Sequence, residues 1–365
     1  MSARDPSTAI AFEKVIEENA RSRIFEITVL ASGVAFTQLA NLLNVRDLDL
    51  VDVDASKGEH SETTFIRNIF DSWKPELCLS GVSGPDHGID EALIREAWGQ
   101  GIRSFVFQSY WGDLNPKAIP FLDTILVVDN FAADVTASKT SAKIIIVGSP
   151  QYDDIGEIDI HRHQQFFRTT TVALPEQPMI AVMGQPLEDY SGYFRTFEKF
   201  ADAVRGLQPI IVFRNHPKET DRSVIQTLEI FRARGLVLAD CADLTLDDIL
   251  CGVDLVATPF STTGVDLQML NRVSAAPLAS TCYMMFEPEL VDVFRGLSGL
   301  EAIPNSDQSI AVCLNDPVTI ADEVQLALSD TARNARWQAI HETFLMPGGG
   351  AARILSALTL EKPND

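Results

Sequence analysis

Positive charge is scarce in this chain of 365 residues: 29 Lys and Arg stand against 51 Asp and Glu, a formal charge of −22. A surface this acidic repels nucleic acid and anionic membrane over most of its area, so no nucleic-acid partner is expected. Cysteine is also sparse. Cys78, Cys241, Cys251, Cys282 and Cys313 are odd in number and never spaced C-x-x-C, which argues against a disulfide framework or a zinc knuckle and leaves them as small buried hydrophobes. No apolar run approaches the roughly 18 residues that a bilayer requires. The opening, Met1 to Ala20, lacks the apolar segment of a signal peptide. A cytoplasmic protein without a transmembrane segment is the expectation.

Other patterns are missing too. Ala31-Ser32-Gly33-Val34 carries one glycine where a dinucleotide fingerprint needs three, which argues against a nicotinamide dehydrogenase. Gly33 is kept as a candidate for substrate contact at that turn. Asp52-Val53-Asp54 has the form of a metal-binding pair, yet it ends a strand, where alternation alone explains it. His161-Arg162-His163 has no Cys or third His near it and reads as a solvated helix start. No metal and no cofactor is expected. Neither an internal repeat nor a low-complexity tract is present.

What the chain has is apolar content, 46%, in a length beyond the usual single-core range, so two domains are expected. Strand and helix signals alternate. A first helix is predicted from 7 to 23, with Ser7 as its cap; strands follow at 25–30, 48–53, 77–80, 104–107, 124–128 and 143–147, with helices at 34–43, 62–73, 89–98 and 131–138. A stretch of lower order, 151–178, reads as a connection. A second series places strands at 179–183, 210–213, 236–238 and 255–257 and helices at 190–205, 220–234, 246–251 and 263–270, with further helical patterns at 320–328 and 331–344. Such alternation means a parallel sheet covered on both faces. The expected architecture is α/β: two Rossmann-like domains, 1–150 and 179–345, facing across a cleft, with 346–365 as a C-terminal helix and tail.

Two segments of the second half carry the sharpest chemistry. Arg214-Asn215-His216-Pro217-Lys218 and Ser261-Thr262-Thr263-Gly264-Val265-Asp266 each follow an apolar strand and precede a helix. Strand-to-helix turns of an open α/β sheet gather at the carboxyl edge, where ligands bind. Free backbone N–H groups at helix starts, with hydroxyls and Arg214, His216 and Lys218, would make an anion site. Pro217 fits a helix start and keeps His216 out of the helical region. Gly264 would permit close backbone approach, and Asp266 would bind ribose hydroxyls or favour the helix dipole. In the first half, the glycine-rich run Ser80 to Gly88 offers Asp86 and His87 as a general base, with Asp113 in reserve.

These residues resemble a family. Gly148-Ser149-Pro150-Gln151-Tyr152-Asp153 is similar to the interdomain "G-[NS]-P-x-[FY]-D" segment of GT-B fold proteins that handle nucleotide sugars, among them surface-polysaccharide transferases and UDP-N-acetylglucosamine 2-epimerases. Gly184-Gln185-Pro186 resembles their "G-Q-P" loop, and Arg214 to Lys218 the His-Pro motif of bacterial sialyl-, Kdo- and glycerophosphate-transferring enzymes. Thr245 to Met269, with Asp254-Leu-Val-Ala-Thr258 and Ser261-Thr-Thr-Gly-Val-Asp266, resembles their "a-D-x-V-x-x-x-S-T-x-G-x-E" element, with Asp266 where Glu is usual. The likeness spans Lys143 to Arg272. It implies that His216 and Ser261 to Thr263 contact a donor phosphate, that Gly184 and Gln185 take part in binding the substrate, and that Asp266 reaches ribose.

The function it implies is transfer of a sugar from a CMP- or UDP-linked donor to a glycan or glycoconjugate acceptor, without metal, in polysaccharide biosynthesis. His216 would assist the departing nucleotide. A nucleotide-sugar 2-epimerase or hydrolase on the same fold, and a non-catalytic sugar-nucleotide-binding partner of a polysaccharide complex, stay open as alternatives, as does the oligomeric state.

Overall fold

A computed structural model describes residues 1–43, 49–52, 59–82, 88–171, 177–304, 306 and 309–360. The chain forms two compact units, Met1–Asp154 with Pro347–Asp365, and Ile155–Met346.

The first unit runs β1 (Ser2–Ala3), α1 (Pro6–Ser22), β2 (Thr28–Ala31), α2 (Gly33–Leu43), β3 (Asp49–Asp52), α3 (Glu59–Trp73), β4 (Leu77–Ser80), α4 (Ile89–Gln100), β5 (Arg103–Phe107), β6 (Thr124–Val127), α5 (Asn130–Ala137) and β7 (Lys143–Ile146). Its 7-stranded sheet has the order β3-β2-β1-β4-β5-β6-β7, and every pairing is parallel. The chain starts in the middle and winds outward both ways, so the switch point lies between β1 and β4. Strand β1 has 2 residues, too few for any periodic signal. Helix α1 is capped by Asp5, whose carboxylate accepts from Ser7 N (2.8 Å), with Pro6 at the first helical position, so Ser7 is not the cap.

The second unit runs α6 (Ile160–Thr171), β8 (Met179–Met183), α7 (Ser191–Val204), β9 (Ile210–Arg214), α8 (Asp221–Ala233), β10 (Val237–Leu238), α9 (Leu246–Gly252), β11 (Leu255–Thr258), α10 (Thr263–Val273), β12 (Ser280–Met284), α11 (Pro288–Ser298), β13 (Val312–Leu314), α12 (Ile320–Leu328) and α13 (Asp330–Thr343). Its sheet is 6-stranded and parallel, in the order β10-β9-β8-β11-β12-β13, with the switch point between β8 and β11. The segment read as a low-order connection contains α6. This helix belongs to the second unit, where Phe167 packs so closely on Gly252 of α9 that a Cβ there would lie 2.1 Å from its ring.

The core of the second unit leads to its site. On α7, Tyr193, Phe197, Phe200, Ala201 and Val204 recur at helical spacing and are fully buried. The Tyr193 and Phe197 rings meet edge to face at 4.8 Å, and Phe197 meets Phe213 of β9 in the same manner. The row begins at the carboxyl edge of the sheet, so Tyr193 has its ring in the core and its hydroxyl at the strand ends.

After α13 the chain returns to the first unit as α14 (Gly350–Leu360). Asp153 receives it: its carboxylate accepts from Gly350 N (2.7 Å) and Ala351 N (2.8 Å), the free amides of the helix start. Arg353 Nε donates to Val147 O (2.7 Å), and its guanidinium lies against Gly148, whose φ of +79° suits glycine. The residues of Gly148 to Asp153 thus clasp the returning helix.

Candidate functional site

Topology brings the two motif turns of the second unit to one edge. Gly184-Gln185-Pro186 follows β8, Asn215 to Glu219 follows β9, and Pro259 to Thr262 follows β11, so the three loops surround the switch point. Gln185 ties the first to the third: its Oε1 accepts from Phe260 N at 2.9 Å. Thr258 Oγ1 accepts from Ser261 N (3.2 Å), and Ser261 Oγ accepts from Thr263 N (3.2 Å) while lying 3.0 Å from Thr263 Oγ1. Gly264 N donates to Ser261 O (3.1 Å). Among the leading amides of α10, Thr262 N–H therefore has no partner in the described residues. It is available to an anion with the hydroxyls of Ser261, Thr262 and Thr263.

The His-Pro turn differs from the sequence expectation in a way that bears on its chemistry. From His216 to Thr220 its backbone N–H groups are engaged: His216 N donates to Glu219 Oε2 (2.7 Å), Lys218 N to His216 Nδ1 (3.0 Å), Glu219 N to His216 O (2.9 Å) and Thr220 N to Glu188 Oε1 (3.2 Å). Thr220 caps α8. From His216 onward the groups this turn can offer an anion are therefore side chains. His216 is half-buried and Lys218 exposed. Because Nδ1 receives the Lys218 N–H, the ring keeps its own proton on Nε2, a donor. Burial first, and then the Lys218 charge, hold His216 below the usual histidine range, so the neutral form prevails at neutral pH. Arg214 is partly engaged, its NH1 donating to Leu244 O at 3.0 Å.

The sequence missed Glu219, 9% exposed, and Tyr193, fully buried. Tyr193 OH donates to Glu219 Oε1 (2.6 Å) and accepts from Gln185 N (2.8 Å), and Ser223 Oγ donates to Oε1 at 3.3 Å. Gly184 is glycine for this reason: a Cβ would lie 2.1 Å from Glu219 Oε2. Gly264 has a packing reason as well, since its Cβ would lie 2.4 Å from the Tyr283 hydroxyl, so the space beside it is filled from β12 rather than left for a ligand. Asp266 is half-buried on the first turn of α10. His163, read as solvated, binds Asp248 Oδ1 of α9 through Nδ1 at 2.7 Å, while His161 and Arg162 are exposed.

In the first unit, Asp54, Asp86 and His87 lie outside the described residues. Gly33 opens α2 at φ +56°, and a Cβ there would meet nothing within 4 Å, so backbone conformation explains this glycine. Asp113 follows β5 in a well-held loop. Gln108 Nε2 donates to Asp113 O (3.0 Å), its Oε1 accepts from Gly112 N (3.2 Å) and Thr136 Oγ1 (2.9 Å), and Lys139 Nζ donates to Gly112 O (2.7 Å). Burial, reinforced by the nearby Asp5 and opposed by Lys139, raises the Asp113 carboxyl above its ordinary range. Ser7 Oγ of α1 lies 2.9 Å from Ser109 Oγ of the same loop.

Glu91, also missed, is 2% exposed on the first turn of α4, accepts from Gly88 N at 2.8 Å, and is pushed up to about 7 by burial and then by Asp90. Its ordinary value is 4.5, so between about pH 4.5 and 7 the folded protein keeps a proton that the unfolded chain releases. Stability therefore falls as pH rises through that window. Glu91→Gln keeps an acceptor for Gly88 N and removes the buried charge, so the variant is expected to gain on the order of 3 kcal/mol relative to wild type between pH 4 and pH 8. Urea unfolding at both pH values checks it; equal differences at the two would refute it.

Comparison with known proteins agrees with this architecture. No family model matches the chain, and no curated protein sequence matches it. Solved structures do. The S. aureus MnaA–UDP co-structure superposes with a TM-score of 0.65 at 12% identity, covering 100% of this chain and 98% of that one. UDP-GlcNAc 2-epimerase from Neisseria meningitidis, bound to UDP-GlcNAc, gives 0.64 at 11%, covering 99% of each, and MurG from Acinetobacter baumannii gives 0.59 at 9%, covering 99% and 98%. At these identities the likeness shows the fold: two Rossmann-like α/β domains of the GT-B type, shared by epimerases and glycosyltransferases of nucleotide sugars. No described helix is long and apolar enough to cross a membrane.

Proposed function

We propose that this chain is a glycosyltransferase that takes a sugar from a CMP- or UDP-linked donor and passes it to an acceptor hydroxyl of a glycan or glycoconjugate. The observation that carries the reading is the placement, at the carboxyl edge of one sheet and on the strands flanking β8, of two turns, one with a Nε2–H imidazole and Lys218, the other with a free Thr262 amide and three hydroxyls. Donors fixed in advance around a phosphate stabilise the charge that grows on a departing nucleotide. Pro217 and Gly184 act by shaping the loops, Gln185 by joining two of them, and Asp266 by reaching ribose. The acceptor proton would go to a carboxylate of the first unit, Asp86 or Asp113, with His87 as the other candidate.

A nucleotide-sugar 2-epimerase is the second reading, supported by the fold likeness to an epimerase. A thermal-shift screen with CMP, CDP, UDP, GDP and TDP would identify the nucleotide, because a ligand of the native state raises Tm. The matching nucleotide sugar then separates the readings. Acceptor-dependent release of nucleotide supports transfer, whereas sugar interconversion without acceptor supports epimerisation, and binding without turnover supports a carrier role.

Turnover is expected to survive excess chelator, since the described residues hold no cluster of three or more His, Cys, Asp or Glu suited to a metal. Loss of turnover in EDTA, restored by magnesium or manganese, would refute the metal-free mechanism.

A further inference from the structure

We infer that Glu219 is the positioning residue of the His-Pro turn, joining the loops after β8 and β9 and holding His216 as a Nε2–H donor. The inference rests on the reading of His216 as a donor-phosphate contact and adds to it the group that sets its geometry.

The carboxylate of Glu219 is shared between two loops. Oε2 accepts the His216 backbone N–H at 2.7 Å, and Oε1 accepts the Tyr193 hydroxyl at 2.6 Å. Tyr193 in turn accepts Gln185 N at 2.8 Å, so a single chain of hydrogen bonds runs from the Gly184-Gln185-Pro186 loop through Tyr193 and Glu219 to the backbone of His216. That chain is rigid at its base, because the Tyr193 ring is packed against Phe197 in the core. It is tight at its centre, because Gly184 leaves the space that Oε2 fills.

The consequence for His216 follows from the next bond. With its own N–H turned inward to Glu219, the turn presents Lys218 N to Nδ1 at 3.0 Å, and an N–H donor must meet a lone pair. The ring proton is thereby confined to Nε2. A protein needing only a helix start here would be served by the Thr220 cap, which accepts Ser223 N at 3.3 Å. A nearly buried carboxylate with three donors, bridging two site loops, does more than that cap requires. Burial, with the Glu188 charge, raises the Glu219 carboxyl above its ordinary range, and the donors Tyr193, His216 and Ser223 oppose the rise.

The test uses the intact protein and Glu219→Gln, in which the amide must turn one N–H toward a donor of the present network. Nitrogen NMR of the imidazoles, feasible with 6 histidines, reads the His216 tautomer in the absence of ligand, with His216→Gln identifying the signal. In wild type the Nε2–H form should dominate; in Glu219→Gln the two tautomers should mix. Affinity for whichever nucleotide the thermal-shift screen identifies should fall about tenfold, the scale of one misplaced hydrogen bond to a charged group. Tyr193→Phe, which keeps the ring packing, should shift the tautomer in the same direction if Glu219→Gln does not fold. An unchanged tautomer in folded Glu219→Gln, or in Tyr193→Phe where Glu219→Gln is unfolded, would overturn the inference whatever happens to Tm. If wild type binds none of the nucleotides, the donor reading fails while the tautomer measurement still decides the role of Glu219.

Discussion

Nucleotide affinity is expected to fall roughly ten- to a hundredfold when His216 is replaced by Ala, with the fold intact, because a hydrogen bond to a charged phosphate is worth about 1.5 to 3 kcal/mol. The geometry sharpens the expectation. The His216, Glu219 and Thr220 amides keep their acceptors, Glu219 Oε2, His216 O and Glu188 Oε1, when the imidazole is lost, and only the Lys218 N–H, which donated to His216 Nδ1, is released, so the turn recovers at most part of the contact. Lys218 Nζ remains as a screened, mobile charge. His216→Gln should recover part of the loss, since its amide also donates. Lowering the pH should not strengthen binding through His216 at first, because protonation must break the Lys218 N–H to Nδ1 bond and is opposed by burial and by Lys218. Calorimetry with the screened nucleotide measures both effects. Unchanged affinity in His216→Ala would return this residue to a role in the turn alone.

The parts of this fold that the sequence makes visible are those with a period. Apolar runs such as 179–183 and 210–213 are buried on both faces and read as parallel strands, and helices such as α7 show their stripe directly. Strand β1 has no room for a period, and with it went Asp5, whose carboxylate caps α1 and stands near Asp113. Strands β12 and β13 and helix α11 were also missed. Ser280-Thr-Cys-Tyr-Met284 is fully buried with the hydroxyls of Ser280 and Thr281 bonded to Ala327 O and Gly264 O, so its polarity hides its position.

For the site, residue type revealed His216 and Ser261 to Thr263, since those groups bind anions in any context. It could not reveal Glu219 or Tyr193. A Glu next to a Lys at a helix start reads as a surface charge until the fold shows that Gly184 and Tyr193 close over it. Two glycines had the same ambiguity in reverse: Gly184 and Gly264 look like room for a ligand, and the room is taken by Glu219 and Tyr283.

If the proposed transfer draws its base from the first unit, replacing that residue should have the largest effect on turnover, a loss of roughly a hundredfold or more with nucleotide affinity nearly unchanged. Asp86 is the first candidate from the sequence, and Asp113 is the one whose surroundings are described. Four side-chain hydrogen bonds hold the Asp113 loop, three through Gln108 and one through Lys139, which fixes where the carboxyl starts. Burial and the neighbouring Asp5 raise its proton affinity, and a carboxylate so raised is a better acceptor for a hydroxyl proton than one in water. Asp113→Asn should therefore remove the acidic limb of the pH–rate profile as well as the rate, since that limb reports protonation of the base. Lys139→Met should move the same limb upward, because Lys139 is the charge that opposes the rise. Asp86→Asn and His87→Ala, measured beside them, separate the candidates by which variant loses both rate and limb. Near-normal turnover in all three base variants would mean that the first unit supplies no base, and the epimerase, hydrolase or carrier readings would then take precedence.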